Sequence, residues 1–208
     1  MARSTMSNLI SRLRTLTATA IGDYTVGVET YWTDDYLQQI LDTHRVDLYD
    51  EALHPVREVN SGGTAIWREY QSDYADLEST DGGTAVFFMR ASTGTLAGTA
   101  DWTANYNSGR VSFGSTTGGT VYYLTARTYD LNAAAAEVWD AKAANVADRY
   151  TFQADGGRFD VSKMVEQFER QANRFRALSR PKSSTFVRSD LDLSEWPNSG
   201  PKSTRVTY

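Results

Sequence analysis

The sequence predicts an α+β protein in which a four-helix core is interrupted by a small antiparallel β domain and followed by an extended tail. Two observations carry this prediction. Apolar residues recur at steps of three and four in residues 1–54 and 129–182, which indicates amphipathic helices. Residues 55–128 instead contain short aromatic and β-branched runs separated by glycine turns, which is typical of antiparallel strands. Residues 183–208 are rich in Ser, Thr and Pro and are expected to be extended.

Composition limits the possible functions. At 208 residues the chain can hold one sizeable core, or a core domain with a smaller one attached. It contains no cysteine, which excludes disulfides and thiolate metal sites. Its net charge of -5 argues against a general duplex-DNA binder, because such proteins neutralise phosphates with basic residues. With no signal-peptide pattern and no apolar run of ~20 residues, we expect a soluble protein made in the cytoplasm.

Residues 1–54 are predicted to hold the first two helices of the core. The apolar face of the first helix consists of Met6, Leu9, Ile10, Leu13 and Leu16. The second helix is predicted to start at Thr33, whose hydroxyl can cap it, and Asp34 and Asp35 suit the positive end of its dipole. The expected apolar face of this helix consists of Leu37, Ile40, Leu41, His44 and Leu48. We expect it to end shortly before Pro55.

Residues 55–128 are predicted to form an inserted antiparallel sandwich or barrel of about six strands. The clearest hairpin pairs Trp102–Tyr106 with Arg110–Phe113 across Asn107-Ser108-Gly109. Aromatic residues make up 12% of the chain, which favours sheet and contact surfaces over an enzyme-like core.

Residues 129–182 are predicted to form an αα-hairpin that completes the core. One helix is expected from about Asn132 to about Thr151, because this stretch has no Pro or Gly and carries an apolar stripe. That stripe consists of Trp139, Ala143, Val146 and Tyr150. The next helix is expected to begin near Asp160 or Ser162 and to end before Pro181. Its apolar positions are Val161, Val165, Phe168, Ala172 and Phe175.

Candidate catalytic and metal-binding residues are few. His44, Asp47 and Glu51 have helical spacing and resemble a metal-ligand set, but two histidines without cysteine favour a hydrogen bond on a helix surface. The helix dipole explains Asp34 and Asp35. No serine lies in a nucleophile-elbow pattern, and no glycine loop fits phosphate binding. We therefore predict no catalytic residue, no cofactor and no metal, and a protein that is not an enzyme.

Several segments together resemble one known family. They are Thr33–His54, the Tyr-Asp-Leu-Asn-Ala-Ala-Ala-Ala run Tyr129–Ala136, the Asp-Gly-Gly-Arg-Phe run Asp155–Phe159, and the basic helix that ends at Arg176-Ala177. These segments are similar to the head-to-tail connector, or adaptor, proteins of long-tailed (siphophage-type) bacteriophages. The resemblance covers less than half of the chain. The chain departs from the smaller, all-helical members of that family because it carries the β insertion.

The resemblance implies a structural virion protein. Such a protein forms a ring, a dodecamer in that family, that bridges the portal and the tail or neck around the DNA channel. The implied partners are the portal protein, a tail or head-closure protein, further copies of the chain, and genome DNA that passes through without sequence-specific contact. The implied location is the neck of the virion, between capsid and tail.

A basic series at the end of the last helix and apolar anchors in the tail are the candidate partner-binding residues. They are Arg174, Arg176, Arg180, Lys182, Phe186, Leu191 and Trp196. We predict that the cations steer the tail to an acidic surface, most naturally the portal, and that the apolar side chains anchor it. Two alternatives stay open for the cations. They stabilise the helix end as solvated arginines, or they contact DNA passing nearby.

Two other functions are compatible with the sequence. In the first, the β-rich part is a carbohydrate- or peptide-binding module carried on a helical scaffold, which the many Trp and Tyr residues would suit. In the second, the protein is an enzyme such as a cell-wall hydrolase. No carboxylate or metal constellation for that reaction is visible in the sequence.

Overall fold

The computed structural model describes residues 1–20, 25–26, 29–59, 62–79, 86–147, 152–154, 157–159 and 161–179. Its helices are α1 (Ser7–Thr17), α2 (Asp34–Thr43), α3 (Leu131–Ala147) and α4 (Val161–Leu178). Its strands are β1 (Thr25–Val26), β2 (Glu29–Thr30), β3 (Arg45–Val59), β4 (Ala65–Gln71), β5 (Phe88–Ala91), β6 (Trp102–Asn105), β7 (Arg110–Phe113), β8 (Tyr122–Tyr129), β9 (Phe152–Ala154) and β10 (Gly157–Phe159). The predicted tail, residues 183–208, lies outside the described residues.

Six of these strands form one antiparallel sheet in the order β5-β8-β3-β4-β7-β6. The sheet curls into a half-barrel whose inner side is an apolar core. Its central strand, β3, is 15 residues long and pairs with both β8 and β4. A bulge between Leu48 and Glu51 shifts the register, so that Leu48 and Leu53, five residues apart, both face the core.

The predicted fold class is wrong, because the sheet is a major part of the fold. Four helices are described, but they do not form a core with a small β insertion. The sheet extends from Arg45 to Tyr129 and begins directly after α2. Leu48 misled the helix prediction: it continues the spacing of Leu37 and Leu41, yet it lies on β3 and belongs to the core of the half-barrel.

The helices form a second core beside the half-barrel, which we call the helical layer (α1 to α4). Leu13 from α1, Leu41 from α2 and Val138 from α3 meet there around Trp32, which is buried. Small residues at the start of α3, including the buried Ala134 and Ala135, let the other helices approach its backbone closely.

Polar contacts fix the ends of the helices, and one of these contacts was predicted. The hydroxyl of Thr33 accepts a hydrogen bond from the Tyr36 amide (3.2 Å), which confirms the predicted cap of α2. At the end of α1, the Lys142 ammonium donates to the carbonyl groups of Thr17 (2.7 Å) and Ala18 (2.9 Å). Since helix ends leave carbonyls unsatisfied, this contact ties α3 to α1.

The predicted hairpin of Trp102–Tyr106 and Arg110–Phe113 is confirmed by the pairing of β6 with β7. Both helices of the αα-hairpin are also present. The structure describes α3 as far as Ala147, so the predicted continuation to Thr151, including Tyr150 of the stripe, lies outside the described residues.

Candidate partner-binding surfaces

The helix α4 is held mainly by one neighbour, α3. Phe168 packs against Trp139 with ring centroids 5.4 Å apart, and Phe175 reaches the edge of the helical core. Near the end of α4, the Asn132 side chain donates to the Leu178 carbonyl (3.3 Å). Of the α4 side chains that the structure describes, Ala172 alone is fully buried. The other apolar side chains of its inner face are therefore only partly covered.

The outer face of α4 is charged and exposed. It carries Lys163, Glu166, Glu169, Arg170 and Arg174. Arg170 lies 3.5 Å from Glu166 one turn away, a pair that solvent weakens because both side chains are largely exposed. Arg174 forms no ion pair with the residues that the structure describes. This face is therefore open to an acidic partner.

Of the seven predicted partner-binding residues, the structure describes Arg174 and Arg176. Arg176 forms an ion pair with Asp140 on α3 and donates to the Asn173 side chain (2.8 Å). Part of its charge is therefore already compensated within the hairpin. The remaining predicted residues lie outside the described residues: Arg180, Lys182, Phe186, Leu191 and Trp196.

The Tyr-Asp-Leu-Asn run that carried the family resemblance lies where half-barrel, α3 and α4 meet. Asp130 accepts hydrogen bonds at its Oδ1 from the amides of Asn132 and Ala133 (both 3.0 Å) and so caps α3. Leu131 is buried in the helical core, and Tyr129 ends β8 as part of the same core. The run therefore positions the αα-hairpin on the sheet.

The residues considered for metal binding or catalysis are separated in the structure. His44 follows the last residue of α2, and its Nε2 lies 2.8 Å from Glu137 on α3. Asp47 lies on β3, where it pairs with Arg45 and Arg127. Asp34 pairs with Arg14 (2.7 Å). Within the described ranges, no group of three or more His, Asp or Glu is placed to hold a metal ion.

The outer face of the half-barrel exposes two tyrosines that sequence analysis did not single out. At the bulge in β3, Tyr49 and Asp50 lie opposite Thr125, and the Asp50 amide donates to the Thr125 hydroxyl (3.3 Å). Tyr49 is 74% exposed there, and Tyr123 on β8 is 37% exposed. Exposed rings on a sheet face can stack on a ligand or a partner. The misassignment of β3 as helix hid this surface.

A cleft of about 570 Å³ opens between the segment that follows β5 and the segment that follows β7. Its lining includes the Asp101 carboxylate, Thr117 and the stacked rings of Phe113 and Tyr122, whose centroids are 4.7 Å apart. Burial, together with the neighbouring Tyr70 and Asp101, raises the pKa of Tyr122 above its ordinary value of 10. The ring hydroxyl stays protonated at neutral pH, as in an ordinary tyrosine, and can donate a hydrogen bond.

The half-barrel and the helical layer are joined by a set of hydrogen bonds and ion pairs that we call the polar clasp. Its residues are Arg3, Thr5, Asn8 and Arg12 on the helical side, Asp76, Glu78, Ser79, Asn107 and Arg127 on the half-barrel side, and Tyr129, the last residue of β8, whose ring lies in the helical core. Glu78 is the centre of the clasp, and its side chain is 0% exposed.

Two kinds of group stabilise the buried Glu78 carboxylate. The hydroxyls of Thr5 (2.5 Å) and Tyr129 (2.7 Å) donate to it. The Arg3 guanidinium lies 3.2 Å away and that of Arg127 lies 3.5 Å away. Burial alone would raise the pKa of this carboxyl, but the hydrogen bonds and the two cations outweigh burial, so the pKa is lowered. Glu78 is therefore ionised at neutral pH.

No sequence signal singled out the polar clasp. Glu78 sits in an acidic stretch that resembles a solvated turn, and its partners come from Arg3 at one end of the chain and Tyr129 far along it. Only the three-dimensional pairing brings these residues together.

In comparisons with known proteins, no protein-family model, no curated protein and no solved structure matched this chain. Among the described residues, none of the helices has the length and apolar content needed to cross a bilayer.

Proposed function

We propose that this protein is a ring-forming head-to-tail adaptor of a tailed bacteriophage. In this role it bridges the portal and the tail components around the DNA channel, in the neck of the virion. Its partners are the portal protein, a tail or head-closure protein, and further copies of the chain in a dodecameric ring. Genome DNA passes through the ring without sequence-specific contact. The observation that carries the proposal is the partly covered helix α4.

An amphipathic helix gains most of its stability by burying its apolar face. In α4, Met164, Val165 and Phe168 are only half buried, because α3 covers one side of the helix and leaves the other open. A helix of 18 residues in this state is well suited to pack against a neighbouring subunit. A ring supplies such a neighbour to every copy.

The charges on α4 support the same role. Its exposed face carries Arg170 and Arg174, whereas the chain as a whole has a net charge of -5. A basic helix on an acidic protein favours contact with an acidic surface of another protein, and such contacts are salt-sensitive. The residues that resemble the adaptor family position this hairpin, as Asp130 and Asn132 do.

The test is assembly of the purified protein with purified portal rings, followed by co-sedimentation and negative-stain imaging. We expect rings that sediment with the portal. The double variant Arg170→Glu with Arg174→Glu should reduce co-sedimentation at least about tenfold, because it turns attraction at the interface into repulsion. A chain that ends at Ser183 tests the predicted tail anchors separately.

The matched control is Arg57→Glu with Arg68→Glu, which reverses two exposed arginines on β3 and β4 by the same total charge. This control should bind the portal like the parent protein. A parent protein that forms no ring and does not sediment with any portal preparation would contradict the proposal. Equal loss in both double variants would mean that overall charge, and not α4, controls binding.

A second candidate function rests on the outer face of the half-barrel. There the exposed Tyr49 and Tyr123 would suit a carbohydrate- or peptide-binding module. Calorimetric titration with cell-wall oligosaccharides and with peptides tests it. If this function holds, Tyr49→Ala should abolish binding while Arg170→Glu leaves it unchanged. The adaptor function gives the opposite pattern, with portal binding sensitive to α4 and insensitive to Tyr49.

A further inference from the structure

The joint between the half-barrel and the helical layer contains two chain crossings that lie side by side. The chain passes from α2 into β3 and returns from β8 into α3. Arg45 at the first crossing pairs with Tyr129 at the second, and the Asp130 amide donates to the His44 carbonyl (3.1 Å). His44 has φ -108° and ψ 21°, which belongs to neither helix nor strand. Two adjacent crossings at element ends have the geometry of a hinge.

Beyond these crossings, the polar clasp holds the two parts together. The apolar core of the half-barrel contains no residue of the helices, and the helical core contains one residue of the six-stranded sheet, Tyr129 at the end of β8. Apart from this ring, hydrogen bonds and ion pairs cross the joint. Arg12 pairs with Asp76, the Asn8 side chain donates to Asn107 (2.8 Å), and the Ser79 hydroxyl donates to the Thr5 carbonyl (2.9 Å). Such contacts can be exchanged for contacts with water, whereas a shared apolar core could not.

We propose that the joint is a hinge and that the polar clasp, centred on Glu78, holds it closed. When Glu78 is released from Arg3, Thr5 and Tyr129, the half-barrel turns relative to the helical layer about the crossings at His44–Arg45 and Thr128–Tyr129. Both cores stay intact in this motion, because the Tyr129 ring moves with the helical layer. The proposal does not depend on the adaptor function, and its test requires no partner protein.

The arrangement of charges would also stabilise the open state of the hinge. Each cation that faces Glu78 also has an acid on its own side of the joint. Arg3 is hydrogen-bonded to Asp42 of α2 (2.7 and 3.1 Å), and Arg127 lies 3.6 Å from Asp47 of β3. Opening therefore leaves neither guanidinium without an anion, and the Glu78 carboxylate passes from burial into water.

The closed state is also well defined. The buried carboxylate is satisfied only when Arg3, Thr5 and the Tyr129 ring, which packs in the helical core, meet Glu78 and Arg127 of the half-barrel. Because partial opening would leave a buried charge short of partners, intermediate positions are disfavoured. A conformational switch requires two distinct arrangements with few populated intermediates.

The test measures the distance between the two parts by pulsed electron paramagnetic resonance. The chain has no cysteine, so spin labels can be attached to Thr15→Cys on α1 and Thr103→Cys on β6, both exposed positions. The labelled parent should give one narrow distance peak. In Glu78→Gln the peak should become at least about twofold wider or split in two, because the neutral amide cannot hold both guanidinium groups.

The matched control is Asp73→Asn, which neutralises an exposed acid in the same connection between β4 and β5; Asp73 pairs with His54 inside the half-barrel. This variant should keep the narrow peak. An unchanged peak in a folded Glu78→Gln protein would overturn the hinge. If Glu78→Gln does not fold, Arg12→Ala decides, since Arg12 is partly exposed and lies outside both cores. A wider peak in that variant supports the hinge, and a parental peak refutes it.

Discussion

The helical layer and the half-barrel reach a buried core by different means. In the helical layer, aliphatic and alanine side chains at helical spacing pack around Trp32, which also contacts the rings of Tyr31 and Tyr36. In the half-barrel, aromatic rings fill the interior: Tyr70 contacts Phe113 and Tyr122, with centroids 5.4 and 5.3 Å away. The first core relies on close approach of backbones, and the second relies on large side chains. The two parts should therefore respond to different mutations.

Aromatic rings also pack across the open side of the half-barrel. The strand order places β5 and β6 at opposite edges of the sheet, without a hydrogen-bonded ladder between them. Phe87, just before β5, packs against Trp102 and Tyr106 at 5.3 and 5.2 Å. Side chains thus close the seam that backbone hydrogen bonds leave open. A protein with this construction depends on a few large residues.

The largest effect is expected from Tyr70→Ala. Tyr70 is 0% exposed, contacts two other rings, and donates its hydroxyl to the Thr120 carbonyl (2.7 Å). Removing the ring should destabilise the half-barrel by about 3–5 kcal/mol. Thermal unfolding monitored by circular dichroism should show that the near-UV signal of aromatic packing is lost before the far-UV signal of the helices.

Tyr49→Ala is the control for this experiment, because it removes an exposed ring from the same sheet. Its effect on the free energy of unfolding should stay within about 0.5 kcal/mol. If Tyr70→Ala instead abolishes both signals together, the two parts unfold as one cooperative unit and the contrast between them does not extend to stability.

A smaller effect is expected from Ala143→Leu in the helical layer. Ala143 is buried on α3, where the small side chain leaves no room for added methylene groups. Overpacking should destabilise the helical layer by about 1–3 kcal/mol. The helical transition should move to lower temperature while the midpoint of the half-barrel transition does not change. Ala144→Leu, at the exposed neighbouring position, should be nearly neutral.

The smallest effect should come from acid, which acts on the joint between the two parts. The pKa of Glu78 is lowered in the folded protein from its ordinary value of 4.5. Its ionised form therefore contributes stability above about pH 4.5, and this contribution is lost as the pH falls further through the folded pKa. The free energies of unfolding in urea of the parent and of Glu78→Gln should differ at pH 7, and the difference should shrink as the pH falls below 4.5 through the folded pKa. If the difference in the free energy of unfolding does not change with pH, the substitution acts through packing and not through the charge of Glu78.

Local signals in the sequence explain which parts of the fold were predictable. The cap at Thr33 and the hairpin across Asn107-Ser108-Gly109 depend on neighbouring residues only, and both were predicted. The pairing of β3 with β8 joins residues about 75 positions apart, and no local pattern specifies it. The continuation of α2 was wrong because Leu48 fits both a helical stripe and an inward-facing strand position.

The candidate functional residues also differ in whether a local sequence pattern identifies them. Arg174 was identifiable because a basic series near a helix end is visible in the sequence, and it is exposed. Tyr49 was not, because its exposure depends on a bulge in a strand that resembled a helix. Glu78 was not, because a buried carboxylate is recognisable only through partners such as Arg3, which is distant in sequence.

The bulge at Tyr49-Asp50 has a consequence for which insertions and deletions this chain tolerates. Exposed positions usually accept a lost residue, and side chains alternate along a strand with a period of two. Deleting Asp50 would remove the extra residue of the bulge and place Leu48 and Leu53 four positions apart, so that both would still face the core. A single in-frame codon loss at this site should therefore be much milder than one within a regular strand such as β8, where it would turn the following side chains to the opposite face. Substitutions at the same codon should be mild, and glycine, which accepts the φ of +50° there, should be tolerated best.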